Sequence, residues 1–365
     1  LWRNTHPSFK LNGVHYVFDE LLEVGYGLVK EGDPFEKTIG DFLVEWGMDE
    51  PTVMVQTSGS TGIPKDITLK KEHMVNSALA TGAYFDLQPE DTALLCLPCS
   101  SIAGKMMLVR AMVLGLELDY VEPSSAPLVE NNKQYNFSAM VPLQVEKSLA
   151  KLDQVKTLII GGATVSHGLK QKLQSASTHC YETYGMTETI THVAVKQLNT
   201  GLDCRPEQGE GPIYNSFTTL PGITISQDAR GCLIIHAPKI AEEKIITHDL
   251  VELINETQFQ WLGRFDSIIN SGGVKLIPEQ IEQKLASLII SRFFVAGIPD
   301  KTLGEKLILV IESEATDKSE LLQQIKSVED LDKYEVPKEI FLLPAFVETK
   351  SGKVDRNGTI ANSFI

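Results

Sequence analysis

Thr57-Ser58-Gly59-Ser60-Thr61-Gly62-Ile63-Pro64-Lys65 is the stretch on which the reading of this chain turns. It follows an apolar run, 51–56, that reads as a short strand, and it precedes a second short strand at 67–69. Hydroxyl side chains and glycines in this density can wrap polyphosphate oxygens with O–H and N–H donors. The glycines admit close backbone approach, and Lys65 adds a positive point charge. The stretch is not a Walker A loop, which has four residues between its first glycine and its Gly-Lys pair; here Pro64 stands before the lysine. The competing reading is a polar surface loop.

Working outward, residues 72–84 pattern as a helix, Thr92–Leu97 as a buried strand and Ala103–Leu114 as an apolar helix carrying Lys105 and Arg110. Thr157–Ile160 is another short strand, ended by Gly161-Gly162. Such alternation predicts an α/β fold with mixed sheets. From about 209 to 261 the chain turns strand-rich, and Glu279–Leu285 opens a further helix. The 365 residues carry 33 basic and 48 acidic side chains, a net charge of −15, with 42% hydrophobic residues. That content supports a substantial core, and the acidic balance argues against a nucleic-acid surface. No run of eighteen apolar residues occurs, so no membrane span is expected. The N-terminus has neither a basic nor an apolar leader region. Five cysteines, an odd and sparse set, suit a reducing cytoplasm. Cys96-Leu97-Pro98-Cys99 has redox-like spacing but reads as a chance pair at a strand end.

Three more segments carry chemistry. In Tyr184-Gly185-Met186-Thr187-Glu188-Thr189 the tyrosine can stack on a base, Thr187 can donate to a phosphoryl oxygen, and Glu188 can take a hard divalent cation. A core tyrosine beside a solvated helix start fits the same letters. In Thr247-His248-Asp249 and Gly263-Arg264-Phe265-Asp266, Asp249 can accept from ribose hydroxyls and Arg264 can donate to sugar or phosphate. Ser271-Gly272-Gly273-Val274-Lys275 reads as a flexible polar loop. Lys353, beside Gly352 in Lys350-Ser351-Gly352-Lys353, reads in isolation as a solvated lysine.

Taken in order, these segments resemble the adenylate-forming acyl-CoA synthetase superfamily over roughly residues 52–356. The resemblance implies a large N-terminal ATP- and acyl-binding domain, residues 1–263, of mixed β-sheets and helices, and a small mobile α+β C-terminal domain, residues 264–365. It makes Thr57, Ser58, Gly59, Ser60, Thr61, Gly62 and Lys65 the phosphate loop, with Tyr184, Asp249 and Arg264 completing the ATP site. Gly161, Gly162 and Ala163 match the small-residue segment beside the acyl pocket. Thr187 and Glu188 match the catalytic, magnesium-holding motif, Asp266 the inter-domain hinge, and Lys353 the catalytic lysine. Ser271, Gly272 and Gly273 fall in the CoA region.

Within that superfamily the helix segment Ile102–Arg110 is similar to the o-succinylbenzoate–CoA ligase branch, which carries an arginine six residues after a glycine, as Gly104 and Arg110 are spaced here. The resemblance implies that Arg110 faces the substrate's second carboxylate, with Thr191 and His192 lining the pocket. A salt bridge from Arg110 to an acidic neighbour is the alternative. The implied reaction is o-succinylbenzoate, ATP and CoA giving the acyl-CoA, AMP and diphosphate, with Mg2+. The other readings are another aryl- or acyl-CoA ligase, a carrier-protein-loading adenylation enzyme and a nucleotide-binding pseudoenzyme. Expected partners are the small-molecule acid, ATP and CoA, with a homodimer as a further expectation. The chain departs from the pattern in three places. Only about 56 residues precede the phosphate loop, as in a short form without one subdomain. His248 stands where a glycine is usual. Ser100-Ser101 replaces an aromatic residue or histidine.

Overall fold

The computed structural model describes residues 2–56, 66–128, 132–199, 216–348 and 354–363. The chain opens with a strand pair, β1 (Lys10–Leu11) and β2 (Val14–His15), and a helical hairpin, α1 (Leu21–Glu31) and α2 (Pro34–Gly47). Asp33 and Glu36 form a capping box at the start of α2, and Pro34 occupies its first turn, where its missing N–H is harmless. The antiparallel pair β3 (Thr52–Gln56) and β4 (Asp66–Lys70) flanks residues 57–65, as the two short apolar runs predict.

A parallel α/β portion follows. Its elements are α3 (Lys71–Phe85), β5 (Thr92–Leu95), α4 (Ile102–Leu114), β6 (Glu117–Tyr120), β7 (Tyr135–Met140), α5 (Pro142–Lys147), β8 (Val155–Ile160), α6 (His167–Leu173) and β9 (His179–Gly185). An antiparallel run continues the same sheet: β10 (His192–Gln197), β11 (Phe217–Thr219), β12 (Thr224–Gln227), β13 (Cys232–His236), β14 (Ile245–Asn255) and β15 (Gln258–Arg264). The strand order is β12-β13-β14-β15-β11-β10-β9-β8-β7-β5-β6-β1-β2. The β5 to β9 portion is parallel and the β9 to β15 portion antiparallel, the mixed sheet expected.

A second sheet contains β16 (Ile269–Ser271), β17 (Val274–Leu276), β18 (Phe293–Asp300), β19 (Gly304–Glu312) and β20 (Glu339–Leu343), with helices α7 (Pro278–Leu285), α8 (Lys318–Lys326) and α9 (Arg356–Ser363). Each sheet has its own apolar clusters: Leu95, Met107, Phe137 and Val195 belong to the first, Ile281, Leu307 and Ile340 to the second. Ser271 pairs with Val274 across Gly272 and Gly273, whose φ values of 59° and 83° suit a two-residue hairpin turn. The flexible loop expected here is therefore a tight turn, because two adjacent glycines supply the left-handed backbone the turn needs.

Helix α4 is apolar apart from Lys105 and Arg110 and sits in the core. Ser101 caps it by accepting from the Gly104 N–H at 3.4 Å, and Gly115 at φ 77° ends it. Residues Met106 to Met112 are all buried, Arg110 included.

Candidate active site

The C-terminal ends of the parallel strands are the usual place for a ligand in such a sheet. Gly161, Gly162 and Ala163 follow β8 there, and Tyr184-Gly185 ends β9. Tyr184 packs edge-on to Phe259 and tilted to Phe217, with ring centres 5.2 and 5.8 Å away. Its hydroxyl donates to Asp249 Oδ2 at 2.7 Å, and Trp261 Nε1 donates to Asp249 Oδ1 at 3.2 Å. Arg264 Nη1 lies 3.7 Å from the same carboxylate. Burial, with the Asp249 charge beside it, pushes the Tyr184 phenol well up, so it stays a donor. Tyr184, Asp249 and Arg264 thus come together from three strands.

A second cluster forms around Arg110. Its Nε donates to Thr81 Oγ1 at 3.4 Å and its Nη2 to Thr191 Oγ1 at 3.5 Å, with His192 Nδ1 3.4 Å away. Among the described residues no carboxylate lies within salt-bridge distance of Arg110, so the salt-bridge alternative finds no partner there. Burial pushes its guanidinium down to about 9, still charged at neutral pH. Burial and the Arg110 charge push His192 well below its ordinary range, so it is neutral. Arginine only donates, so His192 Nδ1 accepts and the proton sits on Nε2. Nε2 and the Ser77 hydroxyl have no partner among the described residues, and both residues line a cavity of about 20 Å³.

Sequence reading missed what holds these clusters. Thr191 N donates to Thr189 O at 2.7 Å across Ile190, which has φ 66° and ψ −61°. A buried β-branched residue in that turn is strained, and the turn delivers Thr191 and His192 to Arg110. Nothing in the letters announces it. Trp261 is different: a tryptophan on a strand near Asp249 is a visible candidate donor.

Thr187 is half-buried and Glu188 exposed, in the short turn after β9. Among the described residues the Gly161–Ala163 segment makes no hydrogen bond to the Arg110 cluster. Asp266 is exposed and bonded to His248 and Arg264. Thr57, Ser58, Gly59, Ser60, Thr61, Gly62, Lys65 and Lys353 lie outside the described residues. Cys96 and Cys99 are buried, and burial pushes both thiols up to about 12, which argues against redox nucleophilicity.

A sequence profile of AMP-binding enzymes matches residues 18–216, more than half of the chain. The chain belongs to the AMP-binding enzyme family. Its reaction class is that of an AMP-forming acid–thiol ligase. A 2-succinylbenzoate–CoA ligase of Listeria monocytogenes is 24% identical over 335 residues, covering 87% of this chain and 71% of the relative. One from Salmonella typhimurium is 27% identical over 285 residues, covering 76% and 61%. An acyl-CoA synthetase (AMP-forming)/AMP-acid ligase II-like protein from Dyadobacter fermentans is 37% identical, with TM-score 0.59, over 90% of this chain and 95% of that one. The o-succinylbenzoate coenzyme A synthetase of Bacillus subtilis, in complex with ATP and magnesium, shares the fold at TM-score 0.70 and 19% identity, over 95% of this chain and 82% of that one. As in other AMP-binding enzymes, ATP is the nucleotide. Among the described residues, no helix is long and apolar enough to cross a membrane.

Proposed function

We propose that the chain is a carboxylate–CoA ligase working through an acyl-adenylate, and that its acid is a dicarboxylate of the o-succinylbenzoate type. The observation that carries this reading is the buried Arg110, charged and, among the described residues, facing only neutral partners. A buried charge without a counter-charge is expensive. A substrate's second carboxylate would supply one through a bidentate fork. The names of the two bacterial relatives support the same acid.

In the first half-reaction the acid's carboxylate attacks the α-phosphorus of ATP and pyrophosphate leaves. In the second, the CoA sulfur attacks the acyl carbon and AMP leaves. Tyr184 offers a ring face to adenine. Asp249 keeps lone pairs for ribose hydroxyls beyond the two donors it already accepts. The 57–65 hydroxyls, Lys65, Thr187 and Lys353 would meet the charge on the departing pyrophosphate. Mg2+ fits this donor set: Glu188 is an exposed carboxylate, and the ion characteristically sits on one or two carboxylates plus substrate phosphates. When bound, it would neutralise phosphate charge. Ser271, Gly272 and Gly273 are assigned to the CoA side. Residues 264–365 would move as a unit about Asp266 between the halves, relieving the conflict between Lys353 and the thiol for one space. A cytoplasmic location and a homodimer accompany the reading.

Acid-dependent AMP formation tests it, with o-succinylbenzoate, benzoate, succinate and a medium-chain fatty acid compared in the presence of CoA. The expected ranking puts o-succinylbenzoate first. Equal or better turnover of a monocarboxylate overturns the dicarboxylate assignment. Pyrophosphate release without CoA consumption would point to a carrier-protein acceptor.

A further inference from the structure

We infer that His248 is a positioning residue that latches the connection between the two sheets, holding the Asp266 carboxylate in the arrangement seen here. Only the catalytic consequence of this latch rests on the proposed function. The geometry stands by itself. The large sheet ends with β15 at Arg264 and the second sheet begins with β16 at Ile269. The two sheets have separate apolar clusters, so the short 265–268 link is the covalent bridge between two cores. Asp266 sits in it, with its side chain about half exposed.

Strand pairing brings the latch together. Asp249 on β14 lies opposite Arg264 on β15. Its neighbour His248 therefore lies beside the start of the link and reaches Asp266, two residues past the end of β15. His248 Nδ1 donates to Asp266 Oδ1 at 2.7 Å, and Arg264 Nη2 donates to Asp266 Oδ2 at 3.2 Å. Two donors from adjacent strands grip the two oxygens of one carboxylate. An ionised carboxylate only accepts, so Nδ1 carries a hydrogen whether the imidazole is neutral or charged. The bond to His248 is the main reason the Asp266 carboxyl is held below its usual range. Arg230, from the turn before β13, also contributes charge on this side.

The latch sits beside the place where the two units touch. Gly263, at φ 151°, is where β15 meets α7. A Cβ there would fall 2.5 Å from Glu279 Oε2 and 2.6 Å from an Ile277 methyl. A rotation at Asp266 that carries its carboxylate away from β14 breaks the His248 bond. An exposed pair of this kind adds little to global stability, yet it shifts a balanced two-state link by up to about fivefold.

Pulsed electron–electron distance measurement tests this on the full-length protein. Nitroxides would be placed at Leu143→Cys and Ile290→Cys, both exposed positions, in a Cys204→Ser background. The other four cysteines are buried. One distance should dominate with His248 present. His248→Ala should enlarge a second population by up to about fivefold, and Asp266→Ala should match it without adding to it. His248→Asn, whose side-chain amide nitrogen takes nearly the place of Nδ1, should restore the original distribution. An unchanged distribution in His248→Ala overturns the latch. So does an equal change in His248→Asn, which would assign the effect to ring packing. A wild-type protein inactive on o-succinylbenzoate would defeat the proposed substrate and leave the distance result standing.

Discussion

Two fully buried cations sit on the neighbouring helices α3 and α4, and they are held in opposite ways. Lys71, in the first turn of α3, donates to Trp46 O at 3.0 Å and Met48 O at 2.8 Å. Its ammonium also lies 4.2 Å from the centre of the Trp2 ring. The carbonyls belong to the end of α2, where a helix presents unpaired acceptors and partial negative charge. The three ammonium donors thus have two carbonyls and an aromatic face. Arg110 has five N–H donors and, among the described residues, only neutral partners at 3.4 Å or more. The difference separates a cation completed by its own chain from one left incomplete. On the proposed function the first serves stability and the second awaits a ligand.

The largest effect should come from emptying the completed site. Lys71→Ala orphans two carbonyls and opens a hole beneath Trp2, so stability should fall by about 3 kcal/mol. Urea unfolding followed by tryptophan fluorescence measures it. Activity per folded molecule should hold. A loss under about 1 kcal/mol would mean that the contacts barely offset the ammonium's own desolvation.

Arg110→Leu should give the mirror image. Replacing an uncompensated buried charge with an apolar side chain is neutral or stabilising, so the melting temperature should stay or rise. Meanwhile kcat/KM for o-succinylbenzoate should fall at least about tenfold, roughly 1.4 kcal/mol. Turnover of a monocarboxylate should fall much less. A parallel loss on both acids together with a lower melting temperature would put Arg110 in the same class as Lys71.

Much of this was legible in the letters, unevenly. The strands at 52–56, 66–70 and 155–160 and the helices at 71–85 and 102–114 follow apolar runs and glycine breaks that name themselves. The encounter of Arg110 with Thr191 and His192 was suggested by the resemblance, and the fold brings the three together across 81 residues or more. What could not be read is conformational or long-range. The turn at Ile190 uses a residue that ordinarily avoids positive φ. The Lys71 site depends on Trp2, 69 positions away, folding over it. The hairpin at Gly272-Gly273 looked loose because adjacent glycines serve a tight turn and a flexible linker equally well.

The pH dependence of the completed site sharpens the contrast by a smaller amount. Burial pushes the Lys71 ammonium down from an ordinary 10.5 to about 8, with nearby Glu45 and Glu50 opposing. Below pH 8 both folded and unfolded chains hold the proton, and the burial penalty is constant. Between about 8 and 10.5 the unfolded chain keeps a proton that the folded chain has released, so stability rises with pH. The gain should be about 1 kcal/mol from pH 8 to 9, read as wild type minus Lys71→Met to cancel other groups. A flat or falling difference would show that the folded site holds its proton as firmly as water does.

The smallest effect concerns how Arg110 is aimed. His192 Nδ1 accepts from Arg110, its protonated Nε2 has no partner among the described residues, and the residue lines a cavity of about 20 Å³. Such a volume can hold one water. His192→Leu removes both the acceptor that steers the guanidinium and an orphaned donor. The two changes oppose one another in stability, so the melting temperature should move by no more than about 2 °C. The lost steering should appear instead as a rise of about threefold in KM for the dicarboxylate, the size of one modest neutral hydrogen bond. His192→Asn can return a carbonyl oxygen to nearly the Nδ1 position and should recover the lower KM. If His192→Asn behaves like His192→Leu, the imidazole acts through its bulk, and Thr81 and Thr191 alone orient Arg110. If instead kcat falls for every acid in both variants, His192 serves the reacting carboxylate rather than the anchoring one, and the Arg110 cluster lies nearer to the chemistry than its neutral partners suggest.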